Sequence, residues 1–354
     1  MHASALSRML LGAAVLVLPL GAAAPATART SGHHHRYVVH NLTSDQAGVA
    51  DDQDPNLVNA WGLAAGPTSP WWVADNGSNL STLYNAAGQP LPLVVTVPGA
   101  PTGTVFNATA GAFPVGSAGA AFIFATEDGT ILGWNGGTAA TQEVDRSRSH
   151  AVFKGLAIAS RPAGPRIFAT DFHNGVVDVF DSAWKPVRRA GFHDPRLPRH
   201  YAPFGIQAIG DRIFVTYAKQ QAGSDDEAHG QGLGLVDEYD LAGHLRARVA
   251  QFGALNAPWG LARAPANFGP FSGDLLVGNF GDGRITAFRD RSHRGFAPAG
   301  QLRTATGRRV TVDGLWALQF GMGAPSNGPT DSLFFTAGPN DENHGLFGTI
   351  RATP

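Results

Sequence analysis

Asn256-Ala257-Pro258-Trp259-Gly260-Leu261-Ala262 is a near-copy of Asn59-Ala60-Trp61-Gly62-Leu63-Ala64. Each copy leads through a Gly/Pro-containing gap into a short apolar run and then a polar turn. The run is Trp71-Trp72-Val73-Ala74-Asp75-Asn76-Gly77 after the earlier copy and Leu275-Leu276-Val277-Gly278-Asn279-Phe280-Gly281-Asp282-Gly283 after the later one. Degenerate copies lie at Val105-Phe106-Asn107, Lys154-Gly155-Leu156-Ala157, Phe204-Gly205-Ile206-Gln207 and Leu315-Trp316-Ala317-Leu318. The chain therefore divides into six units with a period of about fifty residues, each reading as four short antiparallel strands. Asp128-Gly129, Asn174-Gly175 and Asp282-Gly283 supply hairpin turns between them. Such a meander cannot bury both faces alone, so neighbouring units must stack face to face, as in a β-propeller.

The sixth unit supplies only three strands before the chain ends. Tyr37-Val38-Val39-His40-Asn41-Leu42 alternates like a strand and belongs to no neighbouring hairpin. The expected fold is therefore all-β, a six-bladed β-propeller over 37–354 whose last blade is closed by this N-terminal strand, leaving no open radial edge.

Composition agrees. Forty-five glycines and twenty-four prolines suit many strands joined by tight turns. A formal net charge of −1 gives no electrostatic reason for a nucleic-acid partner. The stretch Met9–Leu20, with Arg8 before it and Ala26-Thr27-Ala28 after it, reads as an export signal over 1–28 cut before Arg29. Residues 29–36, with His33-His34-His35, read as a flexible leader. No other stretch approaches the length of a membrane span, so no transmembrane segment is expected. With no cysteine in the chain, stability must come from the core rather than disulfides, and thiol chemistry is excluded.

In a propeller the first strand of each blade lines the central channel and the second runs back beside it. The start of the first and the end of the second share one face. The second strands end in the column Asp75, Glu127, Asp171, Tyr217, Asn279 and Ala337. Asn59, Asn256, Asp313, His150 and His200 lie just upstream of the first strands. Two readings stand side by side. Asp, Asn and Gly are what tight turns demand. Converging hard oxygen ligands are also what Ca²⁺ or another divalent metal requires. Trp61, Phe204, Trp259 and Trp316 recur at one blade position, the first three beside glycine, and are expected to pack between blades, a ligand-stacking ring being the alternative. Trp71 and Trp72 point to opposite faces of one strand, so one of them could be exposed and read a glycan. The insertion Lys219–Gly232 reads as a solvated mobile loop. No nucleophile elbow, phosphate-binding loop or zinc-protease motif is present.

With these units set out, the chain resembles the six-bladed propellers of the NHL-repeat and SMP-30/gluconolactonase-like group. The run Asp54-Pro55-Asn56-Leu57-Val58-Asn59-Ala60-Trp61-Gly62-Leu63-Ala64 more closely resembles a family of secreted bacterial proteins of unassigned function, as do Trp72–Gly77, Ser81–Tyr84, Ala202–Gln207 and Tyr217–Gln220. Lactonase-like propellers hold a divalent metal on the axis, and the resemblance makes Asn59, Asp171, Asn256 and Asp313 its nearest candidates. Two functions are thus expected: an exported binding module for a small molecule, glycan or protein, or a divalent-metal-dependent hydrolase of the lactonase type.

Overall fold

A computed structural model describes residues 36–188 and 191–353. The expected export signal, His33–His35 and the leader short of Arg36 lie outside them.

Six sheets are arranged as the blades of a propeller. From the channel outwards, the first blade runs Ala60–Ala64, Trp71–Asp75, Leu80–Tyr84 and Val95–Thr96, and the second Pro101–Phe106, Phe122–Thr126, Thr130–Trp134 and Thr141–Asp145. The third has Phe153–Ala159, Arg166–Asp171 and Val176–Asp181. The fourth has Tyr201–Ile209, Arg212–Lys219, Leu235–Asp240 and Leu245–Gln251, and the fifth Pro258–Arg263, Leu275–Asn279, Ile285–Asp290 and Phe296–Gln301. The sixth has Leu315–Phe320, Ser332–Ala337, Leu346–Thr353 and, from the other end of the chain, Arg36–Ser44. That last pairing is antiparallel, with Val39 opposite Ile350. Tyr37 then reaches the fifth blade, donating its hydroxyl to the Phe268 carbonyl at 3.0 Å and stacking on Phe271.

Among the described residues the third blade has three strands where four were expected. Its outer edge is capped by a tight return instead, in which the Val187 amide donates to the Val179 carbonyl. Pro186 sits opposite Phe180 and has no N–H to extend a ladder.

Burial explains the stacking. The first two strands of the first blade are buried at every position, because both faces meet neighbouring blades. The core is correspondingly split into apolar clusters between successive blades, such as Phe124 with Trp72 and Tyr239 with Phe168. Trp71 and Trp72 are both buried, Trp71 against Phe334 and Phe347 and Trp72 against Phe122 and Trp134. Neither is exposed to read a glycan.

The inner strands approach too closely for a side chain at the repeated glycine. A Cβ on Gly62 would lie 2.2 Å from the Thr102 carbonyl oxygen, and one on Gly205 2.2 Å from that of Trp259. Threonine hydroxyls fasten three other seams: Thr170 donates to the Phe204 carbonyl at 2.6 Å, Thr102 to that of Phe153 at 2.7 Å, and Thr336 to that of Trp61.

Candidate functional site at the channel mouth

In four of the six blades one residue before the inner strand fixes the geometry of the mouth. Asn59, Ala100, Ala257 and Gly314 all have left-handed backbones, two residues ahead of Trp61, Thr102, Trp259 and Trp316. Asn tolerates this conformation better than most residues. The register also shows why the two asparagines of the opening motif are not equivalent: Asn256 sits one residue further out than Asn59.

The carbonyls of these residues receive the amide just beyond the second strand: Asn76 to Asn59, Glu127 to Ala100, Phe280 to Ala257 and Gly338 to Gly314. The column facing the channel is therefore Asn76, Glu127, Phe172, Ala218, Phe280 and Gly338. It lies one residue beyond Asp75, Asp171, Tyr217, Asn279 and Ala337, and only Glu127 of the expected column belongs to it. Successive strand residues point to opposite faces, so a one-residue difference turns the rest away. Asp75 is fully buried in its own blade, accepting from the Thr82 amide and hydroxyl. Burial holds its carboxyl well above the usual range. Asp171 caps a turn, receiving the Asn174 amide and side chain. Asn279 likewise donates to Ala254 and Asp282. The Tyr217 hydroxyl meets that of Tyr239 at 2.6 Å beneath the surface, near Asp237 and Arg248.

The floor of the mouth is aromatic. Trp61 and Trp316 stack with centroids 3.7 Å apart, Phe280 stacks on Trp316 at 3.8 Å, and Trp259 meets both tryptophans edge-on. Phe204 and Phe172 extend the cluster. The expected packing of these rings thus takes the form of a plug across the channel. Trp61, Trp316 and Phe204 are at most 1 % exposed, so no ligand reaches their faces in this state.

Above the floor runs a continuous polar chain. Trp316 Nε1 donates to Asn59 Oδ1 at 3.0 Å. Asn59 Nδ2 donates to Glu342 Oε2 at 2.6 Å and to Asn76 Oδ1 at 3.1 Å. Asn76 Nδ2 donates to Glu127 Oε2 at 2.8 Å, and Lys154 Nζ donates to Glu127 Oε1 at 2.5 Å. Lys154 stands where four other blades carry Trp or Phe, and its side chain is 3 % exposed. Its ammonium lies 5.3 Å from the Trp61 ring centroid and 3.8 Å from Asp226. Trp259 Nε1 holds the Lys154 carbonyl at 2.8 Å.

Two loops complete the site. The Lys219–Gly232 insertion, expected to be solvated and mobile, is tied down on several sides. Gln220 donates to the Phe172 carbonyl, the Gly230 amide to Asn256 Oδ1 at 2.7 Å, and Asp225 pairs with His173 at 2.6 Å. Glu227 is buried and pairs with His229, which packs on Phe280. The loop after Ala337 turns through Asn340, Asp341 and Glu342, three consecutive residues with left-handed backbones. Such strain costs about 1 kcal/mol or more per residue and is retained where the surroundings dictate it. Its outcome is to deliver Glu342 to Asn59. Asp313 fixes this loop by accepting the Asn340 amide.

Electrostatics follow from that packing. Burial alone would lower the Lys154 ammonium, but Glu127, Glu227 and Asp226 outweigh it and hold the pKa above its ordinary value. Burial and the nearby Glu227 push Glu342 from 4.5 to about 7, against the pull of Lys154 and Asn59. The hydrogen bond to Glu227 raises His229.

Of the sequence-derived candidates, Asn59 and Glu127 enter this network, and Asn256 and Asp313 anchor its loops. Asp75, Asp171 and Asn279 serve turns or the blade interior. His150 lies near His173, with ring centroids 6.1 Å apart. His200 lines an open cleft of about 810 Å³ with His173, Lys219, Gln220 and Asp225. Among the described residues no three His, Asp or Glu side chains are placed to hold a metal. The Asn59 and Asn256 carbonyl oxygens are taken by Trp316 and Gly230, and Asp171 is occupied by its turn. The four expected ligands therefore do not fit a divalent ion.

Fold and site define a six-bladed β-propeller with a plugged, charged channel mouth. The chain belongs to the family of an uncharacterized protein of Acanthamoeba polyphaga mimivirus and is similar to a second uncharacterized protein of that virus. One is 31 % identical over 341 residues, covering 88 % of this chain and 79 % of the relative; the other is 28 % identical over 334 residues, covering 88 % and 85 %. These relatives are viral, whereas the sequence resemblance pointed to secreted bacterial proteins. No family model matches the chain. Among solved structures, virginiamycin B lyase from Staphylococcus aureus superposes with a TM-score of 0.51 at 12 % identity, covering 90 % of this chain and 99 % of that one. A putative gluconolactonase gives 0.51 at 13 % identity, covering 91 % and 95 %. At these identities the likeness is one of fold.

Proposed function

We propose that this chain is an exported binding module that takes a small polar molecule on the channel-mouth face. The observation that carries this is the open cleft of about 810 Å³ walled by His173, His200, Lys219, Gln220 and the insertion. It has the size of a small-molecule site and converges polar side chains from two blades, which suits recognition by hydrogen bonding. The insertion that forms one wall also reaches the charged mouth through Asp226, so occupancy of the cleft bears directly on the network behind it. A thermal-shift screen of polar metabolites against the purified mature protein tests the reading. A ligand is expected to raise the melting temperature of the parent and not of His173→Ala/His200→Ala. A screen in which every hit stabilises both proteins equally would sink it. Export is tested by N-terminal sequencing of protein recovered outside cells, where Arg29 is the expected first residue.

A hydrolytic reading has one observation in its favour, the Glu342 carboxyl held near 7 beside a charged lysine, where proton transfer at neutral pH is easiest. Supporting it would take turnover of a lactone or ester panel that Glu342→Gln abolishes without loss of folding. The metal-dependent form of this reading has less support, because the candidate ligands are already engaged.

A further inference from the structure

We propose that the channel mouth is a cation site shaped for a primary ammonium group and filled from within by Lys154, so that a divalent metal has no place in it. Three observations converge. The Lys154 side chain is 3 % exposed, and its ammonium lies 2.5 Å from Glu127 Oε1 and 3.8 Å from Asp226 Oδ1. The face of Trp61 lies beneath it at 5.3 Å, the geometry of a cation–π contact. Acidic groups outnumber it: Glu127 comes from the second blade, Asp226 and Glu227 from the insertion, and Glu342 from the sixth-blade loop, with His229 the other titratable base close by.

The oxygens that face the cation are arranged for hydrogen bonds rather than for coordination. Glu127 gives one oxygen to Lys154 and the other to Asn76, and Glu342 gives one to Asn59. A hard divalent ion demands six or more oxygens at about 2.0–2.6 Å and strips its ligands of competing donors. An ammonium instead donates up to three hydrogen bonds and tolerates an aromatic face. The side chain is tethered at the repeat position that other blades fill with an indole or phenyl ring, so the tryptophan floor and the cation belong to one layer.

Lys154→Ala removes three methylenes and the ammonium, leaving a gap the shape of n-propylammonium. The variant is expected to melt about 5–8 °C below the parent, as buried carboxylates lose their counter-ion. Added n-propylammonium should restore part of that loss with a saturable dose dependence, while leaving the parent unchanged. Propan-1-ol, similar in shape and uncharged, should not. Equal rescue by both compounds, or rescue by neither in a folded variant, overturns the proposal. If Lys154→Ala does not fold, Lys154→Met keeps the length and removes the charge. Its deficit should widen from pH 5 to pH 8 as Glu342, raised by burial and Glu227 to about 7, ionises without a counter-ion, and a deficit independent of pH overturns the proposal. Ca²⁺, Mg²⁺, Mn²⁺, Zn²⁺ and a chelator should each leave the parent melting temperature unchanged. A saturable rise with a micromolar divalent metal overturns it.

Discussion

Replacing Glu342 by Gln should stabilise the protein, and only above acidic pH. Gln keeps an oxygen to accept the Asn59 Nδ2 hydrogen bond and removes the ionisation that burial and Glu227 oppose. The rise from 4.5 to about 7 amounts to about 3.4 kcal/mol, at about 1.36 kcal/mol per tenfold change in proton affinity. Glu342 keeps some contact with solvent, which screens its neighbours, so about half of this is expected to survive, about 1.5–2 kcal/mol. The sign is that of an acid whose folded pKa is raised. Below about pH 4.5 both states hold the proton and nothing is lost. Between 4.5 and about 7 the unfolded chain releases its proton first, and stability falls as pH rises. Above 7 the full penalty is present. Urea unfolding of the parent and Glu342→Gln at pH 4, 6 and 8 reads the difference directly. The curves should coincide at pH 4 and separate in favour of the variant at pH 8, by about 2–3 °C in a parallel thermal melt. A pH-independent difference, or a variant weaker than the parent at pH 8, refutes the argument.

Trp316→Phe and Trp61→Phe make a matched pair. The first leaves the buried Asn59 carbonyl oxygen without its donor, whereas Trp61 Nε1 has no partner to lose. Denaturant unfolding should find the first costlier by about 1–3 kcal/mol, and equal costs would count against the polar chain. Gly205→Ala should lose about 3 kcal/mol or more, or fail to fold, because its Cβ meets the Trp259 carbonyl at 2.2 Å. Circular dichroism after purification decides this, and a variant of parental stability would contradict the blade spacing. Deleting residues 36–44 strips Leu346–Thr353 of its partner strand, and a broad, non-cooperative melt is expected in calorimetry.

The six-blade plan and its closing strand were legible in the sequence because they rest on periodicity. The Trp-Gly-Leu motif or a degenerate copy of it marks the inner strands, and at Gly62 and Gly205 the glycine is dictated by a carbonyl from the next blade. The site was legible only in fragments. Asn59 and Glu127 were picked out as polar residues near the mouth. Asp75, Asp171 and Asn279 were picked out with them, although each strand end points its last residue away and the next one inwards. A rule that moves by one residue in a period-two pattern inverts the assignment. Lys154 carried a readable signal, a charge in a column of aromatic rings. Glu227, His229 and Glu342 carried none, because they arrive on loops with no counterpart in other blades. Only the folded contacts bring residue 342 beside residue 59.

The pairing of Arg36–Ser44 with Leu346–Thr353 has a temporal meaning. The Arg36–Ser44 strand precedes the strands of the other five blades in the chain, and its partner Leu346–Thr353 follows them. Until Leu346–Thr353 emerges the sixth blade lacks the strand that joins it to Arg36–Ser44, and before Trp316 and Glu342 are made Asn59 lacks both of those partners. The earlier blades can form one after another, but neither the ring nor its charged centre exists before residues 316–353 have been made. Joining strands some three hundred residues apart is a slow, entropically costly event, so ring closure is the natural rate-limiting step. Acquisition of structure at the mouth should therefore coincide with the end of folding, and a truncated product would carry blades without a site.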